Sequence, residues 1–291
     1  MNKYYKILDK LLLLLSLVAF FGGLVYRSYS LNYIGVFLSL LLSIAVFLII
    51  QNKLKYFKVN FKFPKNTFSI FKLFAFVLLI INFFLIIVLL YKSATTSSLV
   101  SPWEQVSSKF FIILFINFLL LSFLILKNCG ASLVFVSLQA LLINFVVIFV
   151  YKISYGFDFF IHEATMENIS KFGVIEPKPL YYLGQYALII ILHKLFFLPI
   201  HYIQLLLVPL LASIYIPAYV FRLLFEHKYH FQVSLITTLF FSSLPFSLFY
   251  FTTPQNLAFL FLLLATLLYF RKKSLFNTSL IFFLAFSAII T

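Results

Sequence analysis

Acidic groups are the scarcest chemistry in this chain, which carries seven Asp and Glu against 22 Lys and Arg over 291 residues. Cysteine is scarcer still, and the single Cys129 rules out a disulfide framework within the chain. Charged residues of both signs make up only 10% of the sequence, while hydrophobic ones reach 64%. Soluble domains average about a quarter charged and about half apolar, so a soluble globular protein is excluded. What is present instead is aromatic and aliphatic. Forty-two Phe, 18 Tyr and one Trp are far too many for a disordered chain. The net charge of +15 does not point to nucleic acid, because the basic residues are spread through short connections between apolar runs and form no separate patch.

A helix needs about 20 apolar residues to cross about 30 Å of hydrocarbon. Against that length the sequence offers ten runs, near 11–26, 33–50, 73–91, 110–126, 131–150, 181–198, 202–221, 231–249, 257–270 and 276–291. The first follows Lys3, Lys6 and Lys10 like a signal peptide, but no small-x-small cleavage site follows Gly22 and Gly23, so it reads as a retained anchor. No internal repeat is visible.

Lys and Arg in short loops stay on the cytoplasmic side, which tests how many runs cross. If all ten cross, the basic residues divide 11 to 11. If the run at 181–198 lies in the outer interface or dips in and returns, they divide 15 inside to 7 outside, with Lys53, Lys55, Lys58, Lys62 and Lys65 among the inside set. Gln185, His193 and Lys194 interrupt that run and would each be costly at the bilayer centre. The expectation is an all-α, polytopic membrane protein with about nine transmembrane helices, a cytoplasmic N-terminus and an outer-face juxtamembrane helical segment. The linear division expected is a four-helix region over 1–130 and a second membrane module over 131–291 that contains the outside loop 151–202. The last run reaches Thr291 without a polar flank, from which further helices are expected beyond it.

Four of the seven acids, Asp158, Glu163, Glu167 and Glu176, fall between residues 151 and 180, together with His162. This is the one segment with enough ionisable groups for acid, base or metal work. Asp158 is placed to cap a helix through 159–171 that Gly173 ends. On that helix Asp158 and His162 stand four apart, as do Glu163 and Glu167, whose like charges repel unless a cation or base sits nearby. A solvated amphipathic face accounts for the same residues without any chemistry. Asp158 and His162 are also the candidate pair for a divalent cation, although two ligands are fewer than a metal site requires. Lys171 and Lys178 are candidates to hold a phosphate, or merely snorkel at the interface.

The order of an apolar span, Gly156-Phe157-Asp158, an amphipathic helix ending near Gly173, and Pro177-Lys178-Pro179-Leu180-Tyr181-Tyr182 resembles the GT-C superfamily of integral-membrane glycosyltransferases over residues 131–291. Members such as the protein mannosyltransferases and the oligosaccharyltransferase catalytic subunits carry an Asp in the first outside loop and use polyprenyl-phosphate-linked sugars. The resemblance implies a catalytic role for Asp158, with His162 and Glu163 in support. It implies substrate contacts for Lys171, Lys178, Tyr181, Tyr182 and Gln255, a divalent cation as cofactor, and a lipid-linked sugar donor with an acceptor of unspecified kind at the outer face. Where those enzymes commonly carry a second acid in the next outside loop, this chain has Thr252, Thr253, Pro254, Gln255 and Asn256. The competing readings are a transport-type protein that translocates lipid or polysaccharide, and an inactive fragment. Transport predicts ionisable groups within the spans, which here carry Asn82, Asn117, Gln139 and Asn144 but no midplane carboxylate.

Overall fold

The computed structural model describes residues 2–52, 69–129, 132–179, 181–271 and 274–291. The lysines at 53, 55, 58, 62, 65, 272 and 273 that weighed in the charge count lie outside the described residues, as does Leu180. The described residues are helical, with one isolated backbone bridge between Thr95 and Tyr151 and no named strand. In chain order the helices are α1 (Asn2–Ser28), α2 (Tyr33–Asn52), α3 (Ile70–Lys92), α4 (Ser108–Leu126), α5 (Ser132–Asn144) and α6 (Val146–Val150). There follow α7 (Phe157–Phe172), α8 (Leu183–Phe196), α9 (Ile200–Glu226), α10 (Phe231–Ser242), α11 (Pro254–Tyr269) and α12 (Leu275–Ile290).

Five segments are long and apolar enough to cross a bilayer: Tyr4–Ser28, Tyr33–Gln51, Ile70–Lys92, Ser108–Leu126 and Ile200–Glu226. The protein is therefore compatible with integral membrane residence. The segment in α9 is 72% buried and that in α2 only 22%, so α9 is an interior helix while most of α2 is left for the surroundings.

The chain forms two compact units, each assembled from separated segments, and the linear division at residue 130 coincides with none of their boundaries. One unit comprises Met1–Asn60, Gly156–Val208 and Phe251–Thr291. Here α1 packs on α2, α8 and α12, and α11 packs on α12. Nine consecutive residues of α8, Leu183 to Ile191, are buried. A helix apolar on every face belongs inside a bundle, and glycine lets it in. A Cβ at Gly22 would stand 2.8 Å from the Ala187 Cβ, and one at Gly184 would stand 2.7 Å from the Thr291 Oγ1, so the backbones approach as small residues in membrane bundles permit. The Ser287 hydroxyl donates to the Ser16 carbonyl at 2.8 Å and ties α12 to α1.

The other unit comprises Phe61–Tyr155 and Pro209–Tyr250. Its core gathers Ile86 and Leu90 of α3, Phe110 of α4, Leu142 of α5, and Val146 and Val150 of α6, with Val106 from the loop before α4. The apolar run at 131–150 is interrupted at Phe145, whose φ of −89° and ψ of 0° lie in the sparsely populated bridge region. The Asn144 amide donates to the Ser213 hydroxyl at 3.0 Å, joining α5 to the later part of α9.

Candidate functional site

The segment 151–180 contains the helix the acids predict. Gly173, at φ +80°, closes α7 in the left-handed conformation glycine adopts without strain. The start differs from expectation. Gly156 is the N-cap, Asp158 is the second helical residue, and no side-chain cap bond forms. The expectation that Asp158 caps the helix is corrected on this point. Gly156 has a φ of +77°, so the chain turns into the helix two residues earlier and carries Asp158 past the capping position. Its carboxylate is exposed in the first turn, where the positive end of the helix dipole favours negative charge.

The neighbouring residues are tied inward. The Nδ1 of His162, a buried residue, lies 2.7 Å from the Tyr186 hydroxyl on α8. The Tyr182 ring stands edge-on to the imidazole at 5.1 Å between centroids. Burial holds the His162 pKa below the ordinary histidine value, and the negative charge of Asp158 opposes this only in part. The imidazole is thus favoured in its neutral form, in which one ring nitrogen donates and the other accepts. Burial raises the Tyr186 pKa, which keeps the phenol protonated.

Glu163 turns to a third element. Its carboxylate lies 3.0 Å from the Nδ1 of His201, near the start of α9. Beside that pair the Gln204 amide donates to the Phe159 carbonyl at 3.0 Å. Glu167 pairs at 3.8 Å with Lys171 one turn on, both exposed. The predicted repulsion between Glu163 and Glu167 is therefore relieved by a separate base for each carboxylate.

The structure brings Asp158, His162 and Tyr182 together, turns Glu163 toward His201 instead, and leaves Tyr181 exposed beside Tyr182. It sends the cations elsewhere. Lys171 is occupied by Glu167, while Lys178 donates to the Tyr29 carbonyl at the end of α1. Gln255 is exposed in the first turn of α11, behind the Thr253 cap that accepts from the Asn256 N–H. Among the described residues no group of three or more His, Cys, Asp and Glu is close enough to hold a metal ion. Asp158 and His162 supply at most two donors, and Nδ1 of the histidine is already engaged, so the donor set does not fit a divalent cation.

Sequence reasoning missed three participants. His201 reads as a loop residue, yet its Nδ1 lies 3.0 Å from the Glu163 carboxylate, and a Glu seeking a partner from beyond its own helix was the available signal. Tyr186 reads as an interfacial aromatic, yet it lies inside the protein. Lys194 reads only as an obstacle to crossing, yet it donates to the Leu31 carbonyl at 2.8 Å. Searches of protein-family models, of curated proteins and of solved structures find no match to this chain.

Proposed function

We propose that this protein is a membrane glycosyltransferase that moves a sugar from a polyprenyl-phosphate donor to an acceptor hydroxyl at the outer face of the membrane, with Asp158 as the general base. The observation that carries the reading is the state of Asp158. It is the acid of the 151–180 segment that projects from a rigid first helical turn without being consumed by a cap or an ion pair. Glu163 and Glu167 are both engaged by neighbours.

In this reading the Asp158 carboxylate takes the proton of the acceptor hydroxyl as its oxygen bonds to the anomeric carbon. The bond from that carbon to the phosphate oxygen breaks, and its electron pair leaves with the lipid phosphate. His162 is a positioning residue. It docks α7 on α8 through Tyr186 and fixes the turn that carries Asp158. Glu163 does the same toward α9 through His201. The chemistry asks for no nucleotide-binding fold, because the donor is presented by the bilayer.

Purified protein incubated with a panel of polyprenyl-phosphate sugars and glycan or peptide acceptors tests the reading. Wild type is expected to release the lipid phosphate with matching sugar transfer. Asp158→Asn is expected to lower that rate by 10²-fold or more, the scale of a lost general base, with yield and thermal stability unchanged. Equal transfer by the variant would reject the role of Asp158.

A further inference from the structure

Two ammonium groups from separate segments converge on the four residues that join α1 to α2. The Lys178 Nζ donates to the Tyr29 carbonyl and stands 6.0 Å from the centroid of the Tyr26 ring. The Lys194 Nζ donates to the Leu31 carbonyl at 2.8 Å and stands 5.0 Å from the Tyr33 ring. Each ammonium has three donors and spends one of them on a carbonyl. Among the described residues no carboxylate lies within ion-pair distance of either. Glu163 and Glu167 are taken by His201 and Lys171, and Glu176, two residues before Lys178, pairs with neither lysine. Arg27, exposed in the last turn of α1, adds a third positive charge.

The C-terminal end of α1 attracts cations, but a helix dipole offers only about half a negative charge. Ring faces add attraction but no charge. The charge of Glu176, which reaches the Tyr26 ring that Lys178 stands over, offsets one of the three, and the positive charge still exceeds what the protein supplies against it by more than one. Burial pushes the Lys194 pKa down, because it takes the ammonium partly out of water.

We infer that the α1–α2 turn is a binding site for the phosphoryl headgroup of a lipid, held by Lys178 and Lys194. A phosphoryl group carries the missing charge and the acceptor oxygens that the free ammonium hydrogens need. The position selects a lipid over a soluble phosphate. The turn joins two helices of membrane-spanning length, which puts it at the depth of the headgroups. From it α2 presents Ile34, Phe37 and Leu41, respectively 60%, 62% and 52% exposed, on one stripe. That stripe is a track for a hydrocarbon tail running down from the headgroup.

The same phosphoryl chemistry comes from an anionic bilayer phospholipid or from the lipid-linked donor of the proposed reaction, and the site needs neither Asp158 nor turnover. Full-length protein in neutral detergent is titrated with phosphatidylglycerol, with undecaprenyl phosphate, with phosphatidylcholine and with inorganic phosphate, and thermal unfolding and native mass spectrometry report binding. The two anionic lipids are expected to raise the melting temperature by several degrees, and Lys178→Gln/Lys194→Gln is expected to weaken their binding at least tenfold. Stronger binding of undecaprenyl phosphate supports the site as a donor site; stronger binding of phosphatidylglycerol supports it as a bilayer-lipid site. Equal stabilisation by phosphatidylcholine or by inorganic phosphate, or undiminished binding by the double variant, overturns it.

Amine acetylation of the wild-type chain decides the matter if the double variant does not fold. Bound lipid should shield Lys178 and Lys194 and leave Lys171 reactive, and equal reactivity of all three with and without lipid overturns the site. Asp158→Asn should bind lipid as wild type does, so a failure of the transferase reading and a failure of the headgroup site are told apart.

Discussion

His162 shows how one residue can serve packing and leave chemistry to its neighbour. With the imidazole buried and bonded to Tyr186, removal of the phenol oxygen in Tyr186→Phe strands a polar nitrogen away from water. The expected loss is about 1–3 kcal/mol of stability, read as a lowered melting temperature in detergent. The pH dependence has a definite sign. The folded state holds His162 below its ordinary pKa, so the unfolded chain binds the proton more readily. This contribution is intact above the unfolded value of about 6.5 and is lost as the pH falls below it. Wild type should therefore lose more stability between pH 7.5 and pH 5 than His162→Gln does, in matched detergent. Identical pH profiles would show that His162 stays neutral throughout or never depended on being so. Asp158 stands at the other extreme. Its place in the acid-rich segment was legible from composition alone, whereas its freedom from capping was not, because Asp before an amphipathic run reads as a cap and only the backbone at Gly156 decides otherwise.

At the scale of elements, the junction of α1 with α8 depends on the absence of side chains at Gly22 and Gly23. A methyl group at Gly22 would meet the Ala187 Cβ at 2.8 Å, closer than two carbons in contact, and neither atom can rotate away. Gly22→Ala is expected to destabilise the unit by about 1–3 kcal/mol, the usual result of overpacking, and Ala187→Gly in the same chain should restore much of it. Thermal unfolding of the single and double variants checks this, and additive losses would place the contact elsewhere. The sequence located nearly every helix, since long apolar runs leave few alternatives, but it joined pieces that the structure separates. The run at 231–249 ends its α-helix at Ser242, three residues before Pro245, whose ring keeps the preceding residue out of helical geometry. That signal was available. The break at Phe145 carries no Gly or Pro and follows from packing against a core that hydropathy does not describe. The burial of α8 over Leu183 to Ile191 was hidden for the same reason. Gln185, His193 and Lys194 mark a segment unsuited to lipid, and polar residues avoid lipid equally well at an interface and inside a bundle.

For the whole molecule, the question that remains physical is which helices carry the chain from one side of a bilayer to the other. Five helical segments have the length, and the others of 12–16 residues rise only about 18–24 Å, short of about 30 Å of hydrocarbon. A short helix crosses if its flanks are extended or the bilayer thins, so length alone does not count crossings, and charge in the connections has to decide. The nine-crossing arrangement keeps α8, fourteen residues long and enclosed over its first nine, from crossing. It puts the connection after α9, with Lys228, on the cytoplasmic side. The exposed His227 and Lys171 supply reporters in a background where the buried, free Cys129 is replaced by Ala. A membrane-impermeant maleimide on intact cells should label Lys171→Cys and leave His227→Cys unlabelled until the membrane is opened. Labelling of both from outside would mean that α8 crosses, so that Arg222 and Lys228 lie on the same face as Asp158. The bias in basic residues would then vanish, and with it the charge argument for an outer location of the α7 segment, on which a lipid-borne donor at that face depends.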